Sequence, residues 1–189
     1  MPTAEYELAY LRAGIQLLES YLVSKELYWS IAATPPGGGG PFPQLTPGSL
    51  LLAQARLHAR RLAEPLLTEL AVVDQELLDS QYSWRVAWER KCAHDFSARL
   101  KLWRDFLEEV RSNPENHADR YAYEVRRRVI LELISPFVNF ETPAERELLA
   151  GLDRLLNAVF ENGNFIWEPD LASGFPQDRY WYLYGSIRG

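Results

Sequence analysis

The sequence predicts an all-α protein, a single-domain antiparallel bundle of about five to six helices with an irregular aromatic C-terminal tail. Apolar residues recur at three- and four-residue spacing through most of the chain, which is the period of an α-helix. Thr-Pro pairs precede two of these segments and are typical helix starts. With 189 residues and 47% hydrophobic content, the chain can form one domain with a substantial core.

The first helix is predicted from about Ala4 to Ser30. Thr3 precedes it as a capping residue, and Glu5 and Glu7 lie where the helix dipole favours negative charge. Its apolar face holds Leu8, Leu11, Ile15, Leu18 and Leu22. This continuous face predicts a helix that packs along its whole length.

A crossover loop rich in glycine and proline is predicted at residues 34–48. Its consecutive glycines, Gly37–Gly40, resemble a phosphate-binding loop only in composition. A Walker loop needs Lys-Ser/Thr after the glycines and a strand before them, whereas here a proline follows and a helix precedes. We therefore expect a connection that Phe42 and Leu45 attach to the bundle.

Thr46 and Pro47 begin the second helix, as a capping hydroxyl and a proline at the first helical position. Its leucine pattern contains Pro65, which removes a backbone hydrogen bond and clashes with the preceding turn. The helix should therefore kink or break near Ala63. A separate break is expected at residues 79–81.

The longest helix is predicted from Tyr82 to Val110, at the centre of the bundle. Its two inward stripes are Tyr82, Val86, Ala93, Phe96, Leu100, Trp103, Leu107 and Val110, and beside them Trp84, Trp88, Cys92, Leu102 and Phe106. Its predicted solvent face is Ser83, Arg90, Lys91, His94, Ser97, Lys101, Arg104, Asp105 and Glu108. Two apolar stripes predict neighbours on two sides, and the first helix and the Leu148–Phe160 helix are the candidates.

Two further helices and a tail complete the chain. One helix is predicted at residues 117–134, and another opens at Thr142, Pro143 and Glu145, which form a capping-box pattern. Asn162-Gly163 is expected to stop the last helix.

The aromatic tail at residues 164–189 should pack on the bundle, because it is too apolar for disorder and too rich in Pro and Gly for a helix. Phe165–Trp167 and Tyr180–Tyr184 are expected to pair as a small ribbon.

Four charged residues interrupt the apolar arc of the central helix, namely Arg85, Glu89, Asp95 and Arg99. Their i,i+4 spacing predicts two ion pairs within the helix, Arg85–Glu89 and Asp95–Arg99. Arg126, on an inward face of a later helix, is expected to join one of the carboxylates. Structural ion pairs are the favoured interpretation.

The alternative interpretation is a pocket between helices, in which the arginines meet an anionic ligand and a tryptophan stacks on it. Its candidate residues are Trp84, Arg85, Trp88, Glu89, Asp95, Arg99 and Arg126.

Charge and composition disfavour several classes of partner. The net charge of −6 opposes binding to nucleic acid or to an anionic membrane, so neither is predicted as a partner. The acidic N-terminal segment does not read as a signal peptide, and no stretch is long and apolar enough to span a membrane. We expect a cytoplasmic protein, and the excess of arginine over lysine, 17 to 3, suits a bacterial source.

No cofactor is predicted, and no metal-ligand motif of the Glu-x-x-His or His-Glu-x-x-His type occurs. The single cysteine, Cys92, is expected to be a buried apolar residue.

One set of residues resembles a known family. The segment His58-Ala-Arg-Arg-Leu-Ala63 is similar to the helix that carries the first histidine of HD-domain phosphohydrolases. His94-Asp95 is then similar to the family's doublet, and Asp119 or Asp153 to its last aspartate. The residues after the doublet, Phe-Ser-Ala, depart from the family's small apolar residue, Gly and Lys. The resemblance implies a metal-dependent phosphohydrolase and ranks as a minor alternative.

Two functional hypotheses follow. The first is a non-catalytic interaction or scaffolding module, whose protein partner or second copy contacts helix faces or the aromatic tail. The second is a protein or enzyme that binds a small anionic ligand in the Trp/Arg pocket.

Overall fold

The computed structural model describes residues 2–38, 40–139 and 143–188. This part of the chain forms seven α-helices and one two-stranded antiparallel sheet. The helices are α1 (Ala4–Val23), α2 (Pro47–Ala59), α3 (Leu66–Ser83), α4 (Arg85–Ser112), α5 (Tyr121–Glu124), α6 (Arg126–Ile134) and α7 (Ala144–Val159), and the strands are β1 (Phe160–Phe165) and β2 (Tyr184–Ile187). The predicted helical class with an aromatic C-terminal tail is confirmed.

The central position of α4 is set by its apolar stripes. Phe96, Trp103 and Leu107 are almost completely buried, and α4 packs on α6, α7, α2 and α1. The prediction named α1 and α7 as its neighbours, but the most extensive contact is with α6. Periodicity shows which face of a helix is apolar, whereas the partner on that face depends on the connections between helices.

Two residues of the predicted inward stripe are exposed where α3 meets α4. Tyr82 and Val86 are 86% and 80% exposed, so their assignment to the inward stripe is wrong. Leu102, also assigned inward, is 41% exposed. The chain leaves the helical conformation at Trp84, between α3 and α4, and the exposed side chains lie at this corner.

Lys91 is 2% exposed, although the helical wheel places it on the solvent face. Its ammonium donates to the Ser24 hydroxyl at 3.2 Å and to the Glu26 carbonyl, and it lies 4.2 Å from the centre of the Tyr21 ring. The long lysine stem allows a residue at the edge of the apolar arc to reach inward polar groups. Lys91 thus ties α4 to the chain that follows α1.

Helix α1 ends at Val23 rather than at Ser30. The Ser24 backbone N–H and hydroxyl both donate to the Tyr21 carbonyl, at 3.2 and 2.7 Å, and Ser24 itself is extended. These bonds satisfy a carbonyl of the last turn and end the helix. The apolar pattern alone did not signal this stop.

The crossover is attached as predicted, because Phe42 and Leu45 are 8% and 0% exposed. Phe42 packs against the rings of Tyr6 and Tyr10, with centroids 5.0 and 5.7 Å away. Leu45 forms an isolated antiparallel bridge with Trp29. The loop therefore forms part of the wall beside α1.

The predicted break at Pro65 is confirmed and is longer than expected, since α2 ends at Ala59 and α3 begins at Leu66. The break predicted at residues 79–81 is wrong, because α3 continues to Ser83. The helix predicted at residues 117–134 is divided into α5 and α6, which are separated by one residue.

The C-terminal region differs from the prediction in its strands. Thr142 lies outside the described residues. Helix α7 ends at Val159, and Asn162-Gly163 belongs to β1 instead of capping the helix. A ribbon forms as expected, but β1 and β2 are displaced from the predicted segments, and only the Phe165–Tyr184 pairing is shared.

The tail packs on the bundle as predicted. Phe175 and Tyr182 are fully buried, and Trp167 is 4% exposed. The Tyr121 hydroxyl donates to the Tyr182 carbonyl at 2.7 Å, and the Trp167 indole N–H donates to the Ala122 carbonyl at 3.0 Å. These bonds fix the tail against α5.

Candidate functional site

A cleft of about 630 Å³ opens beside the crossover, lined by residues from α1, α2, α4, α5 and α6. This volume lies within the roughly 300–1,000 Å³ range of small-molecule sites. Three arginines line the cleft, namely Arg56, Arg99 and Arg126. Arg99 and Arg126 belong to the predicted ligand-binding set, and Arg56 does not.

Asp95 positions Arg99 from behind the cleft. The Asp95 side chain is completely buried, and its Oδ1 accepts from Arg99 Nε at 2.8 Å, as the i,i+4 spacing predicts. Its Oδ2 accepts from the backbone N–H of Gly48 at 2.9 Å, in the first turn of α2. One carboxylate therefore orients the arginine and joins α4 to α2.

Arg99 also contacts two hydroxyl groups at the start of α2. Its Nη2 donates to the hydroxyls of Thr46 and Ser49, at 2.9 and 3.2 Å. A glycine is needed at position 48, because a Cβ there would lie 2.2 Å from Ile130 Cγ2. Close packing thus brings the start of α2 against α4 and α6.

Among the described residues, Arg126 is the cleft cation that has no carboxylate partner. Its guanidinium lies 3.6 Å from the centre of the Tyr123 ring and donates to the Tyr123 hydroxyl. Within the described ranges, no carboxylate lies within ion-pair distance of it. Burial lowers the pKa of Arg126; Tyr123 opposes this effect, and the nearby charges of Arg127 and Arg99 add to it.

The expectation that Arg126 joins Asp95 or Glu89 is therefore wrong. Both Asp95 oxygens are already engaged by Arg99 and Gly48, and Glu89 pairs with Arg85.

Arg56 lies deeper in the cleft wall and is 9% exposed. Its Nη1 donates to Glu7 Oε1 at 3.3 Å, and its guanidinium lies 4.7 Å from the centre of the Trp167 ring. Arg60 Nε is 3.6 Å from the other Glu7 oxygen. Burial raises the pKa of Glu7 to about 7, although Arg56 and Arg60 both act to lower it.

The remaining predicted site residues lie away from the cleft. Arg85 and Glu89 form the expected pair at 2.8 Å, but their side chains are 76% and 38% exposed. Trp88 is buried and packs edge-on against Phe137, and Trp84 is partly buried at the corner of α3 and α4. The predicted set is thus divided, with only Arg99 and Arg126 on the cleft and Asp95 behind them.

Sequence reasoning missed the aromatic and basic partners of the cleft. Tyr123 precedes Arg126 by three residues, which is the helical spacing for stacking, and this signal was available in the sequence. Arg56 follows Leu52 and Ala53 on one face of α2, so its burial could also have been inferred from the sequence. Trp167 carried no local signal, because only the folded tail brings it to α2.

The residues of the HD resemblance do not come together. His94 is exposed, whereas Asp95 points inward to Gly48 and Arg99. His58 Nε2 lies 2.8 Å from Asp74 on α3, and Asp153 binds Arg128. Among the described residues, no group of three or more His, Cys, Asp or Glu side chains is placed to hold a metal ion.

Two other sequence expectations concern Cys92 and the membrane. Cys92 is fully buried, and burial raises its thiol pKa well above the ordinary value. Of the helices in the described ranges, none combines the length and apolar character that a membrane crossing requires.

Comparison of the chain with protein-family models, with curated proteins and with solved structures finds no match.

Proposed function

We propose that the protein binds a small anionic ligand in the cleft, with Arg126 as the main charged contact. The observation that carries the proposal is the partly buried Arg126 guanidinium, which no described carboxylate neutralises. A desolvated cation is costly unless an anion or hydrogen-bond acceptors compensate it. The Tyr123 ring covers one face of the guanidinium, while its remaining N–H donors are the groups that a carboxylate or phosphate would engage.

The surrounding groups support this proposal. Thr46 and Ser49 place hydroxyls on the cleft beside Arg99. Asp95 holds Arg99 in one orientation, so little side-chain entropy is lost when a ligand binds there. Neither observation requires catalysis, and the proposal assigns none. We further propose that this binding takes place in the cytoplasm.

The test measures thermal unfolding with added small anions at constant ionic strength. A ligand at about ten times its Kd stabilises the native state by about 1.4 kcal/mol. For a chain of this size, that shift raises the Tm by roughly 3–6 °C. We expect at least one organic or phosphate-bearing anion to raise the Tm of the wild type and of Arg85→Gln, and to leave Arg126→Gln unchanged.

Arg85→Gln is the matched control, because it removes the same charge from an exposed site outside the cleft. Equal Tm shifts in all three proteins would contradict the proposal, since they would show that the anions act elsewhere.

Self-association is a second candidate, supported by the exposed corner between α3 and α4. Leu78, Tyr82 and Val86 are 58%, 86% and 80% exposed there. The corner also carries exposed charges of both signs, Asp79 and Arg90, so a second copy related by a two-fold axis can oppose unlike charges. The aromatic tail offers less, because its tryptophans and tyrosines are largely buried.

Light scattering tests this candidate. We expect a wild-type dimer that Tyr82→Glu converts to a monomer, and a monomeric wild type at high concentration would contradict it.

A further inference from the structure

We infer that the ligand of the cleft is a monocarboxylate with an aromatic body, rather than a phosphate. The inference rests on the proposed function and names the ligand class of the same site. Three observations support it: the charges of the cleft residues, the backbone N–H groups at the start of α2, and the apolar side chains of the lining.

The first argument is the charge balance of the cleft. Glu7 contacts Arg56, and Asp95 contacts Arg99, so of the cleft arginines in the described ranges Arg126 is left for a ligand. Asp119 also lines the cleft and is exposed at its edge, where it repels additional negative charge. A single guanidinium without an ion pair, in a cleft that also contains Asp119, matches a singly charged anion, whereas a phosphate monoester carries roughly −1.5 to −2 at neutral pH.

The second argument concerns the start of α2, which is the element that a phosphate would be expected to use. Helix N-termini bind phosphate through free backbone N–H groups. Here the N–H of Gly48 donates to Asp95, and the N–H of Ser49 donates to the Thr46 hydroxyl at 3.1 Å. Pro47 has no N–H, so the first turn has little left to offer a phosphate.

The third argument is the apolar part of the lining. Tyr28 and Tyr123 line the cleft with 43% and 58% of their surface exposed, and the buried Tyr10, Leu52, Ile130 and Trp167 also border it. Burial of a ring against such side chains contributes free energy through removed apolar area and through ring–ring contacts. A carboxylate bound at Arg126 therefore leaves room for an attached ring beside these side chains. A bare inorganic ion would leave the same apolar surface in contact with water.

Isothermal titration at about pH 8 with four related probes separates the arguments. Phenylacetate has the ring and one charge, phenylacetamide has no charge, acetate has no ring, and phenyl phosphate has two charges. We expect phenylacetate to bind at least about tenfold more tightly than each of the others, which is the loss expected for one missing charged hydrogen bond or one unburied ring. We expect Arg126→Gln to abolish that preference and Arg85→Gln to retain it.

Two outcomes overturn different statements. Tighter binding of phenyl phosphate, still lost in Arg126→Gln, refutes the carboxylate class and leaves the proposed anion site intact. Binding of none of the probes refutes the aromatic monocarboxylate class, and probe binding that Arg126→Gln does not weaken refutes both statements. Arg126→Lys keeps the positive charge on a different head group. If this variant still binds phenylacetate, the loss of binding in Arg126→Gln results from the missing charge and not from a damaged fold.

Discussion

Replacement of Asp95 by alanine is the sharpest perturbation of the core that positions the cleft. Its carboxylate is completely buried and accepts from Arg99 and from the Gly48 N–H. The alanine variant leaves both donors without this acceptor. The cost combines an unsatisfied backbone group with an uncompensated cation.

The structure sets the magnitude. Loss of one partner from a buried ion pair costs about 3–5 kcal/mol. Arg99 is only 13% exposed but keeps hydrogen bonds to Thr46 and Ser49, so we place Asp95→Ala near the lower limit, at about 3 kcal/mol. This corresponds to a fall in Tm of roughly 6–12 °C.

The assay is equilibrium unfolding in urea, with a double-mutant cycle on Asp95 and Arg99. The matched control is Asp105→Ala, because Asp105 is on the same helix, is 44% exposed and pairs with Arg104 at the surface. We expect the control to cost less than about 1 kcal/mol and the Asp95–Arg99 coupling to exceed about 1 kcal/mol. A loss below about 1 kcal/mol for Asp95→Ala, or additive single effects, would refute the reasoning.

Three further perturbations have defined outcomes. Because burial raises the pKa of Glu7 from 4.5 to about 7, protonated Glu7 favours the fold below pH 4.5, and this contribution is lost as pH rises through 7. Glu7→Gln should therefore remove roughly 2 kcal/mol from the difference in unfolding free energy between pH 5 and pH 8. If urea unfolding gives the same difference for Glu7→Gln as for the wild type, this reasoning is contradicted. Gly48→Ala should cost about 1–3 kcal/mol in urea unfolding, because its Cβ would lie 2.2 Å from Ile130 Cγ2. Arg128→Met removes the bidentate partner of Asp153, at 2.8 and 2.9 Å. Because Asp153 is 25% exposed, the variant should lose about 2–3 kcal/mol, less than the roughly 3–5 kcal/mol of a fully buried pair, and thermal unfolding measures this loss.

The sequence supports the helices more strongly than the contacts between them. The i,i+4 spacing of Asp95 and Arg99 was sufficient to predict their pair, because both residues lie on one helix. The helical wheel misplaced Lys91, since it assigns a direction to the Cβ atom and not to the end of a long side chain. Local periodicity also could not show that Tyr82 lies at an open corner.

The cleft was only partly predictable for the same reason. Arg99 and Arg126 were recognised as charged residues on apolar faces, and both line the cleft. Their neighbours depend on tertiary packing, because Trp167 reaches the cleft through the folded tail. The tryptophans of the central helix were expected to stack on a ligand and lie away from the cleft, whereas the ring of Tyr123 lies against Arg126.

The central claim is that Arg126 is the anion-binding group of the cleft. The most direct measurement follows the Nε–Hε signals of the arginines by NMR in isotope-labelled protein, during titration with phenylacetate. Saturable shifts of the Arg126 signal, with the exposed Arg85 signal unchanged, are the predicted result. An unchanged Arg126 signal at saturating ligand, or equal shifts at Arg126 and Arg85, would contradict it.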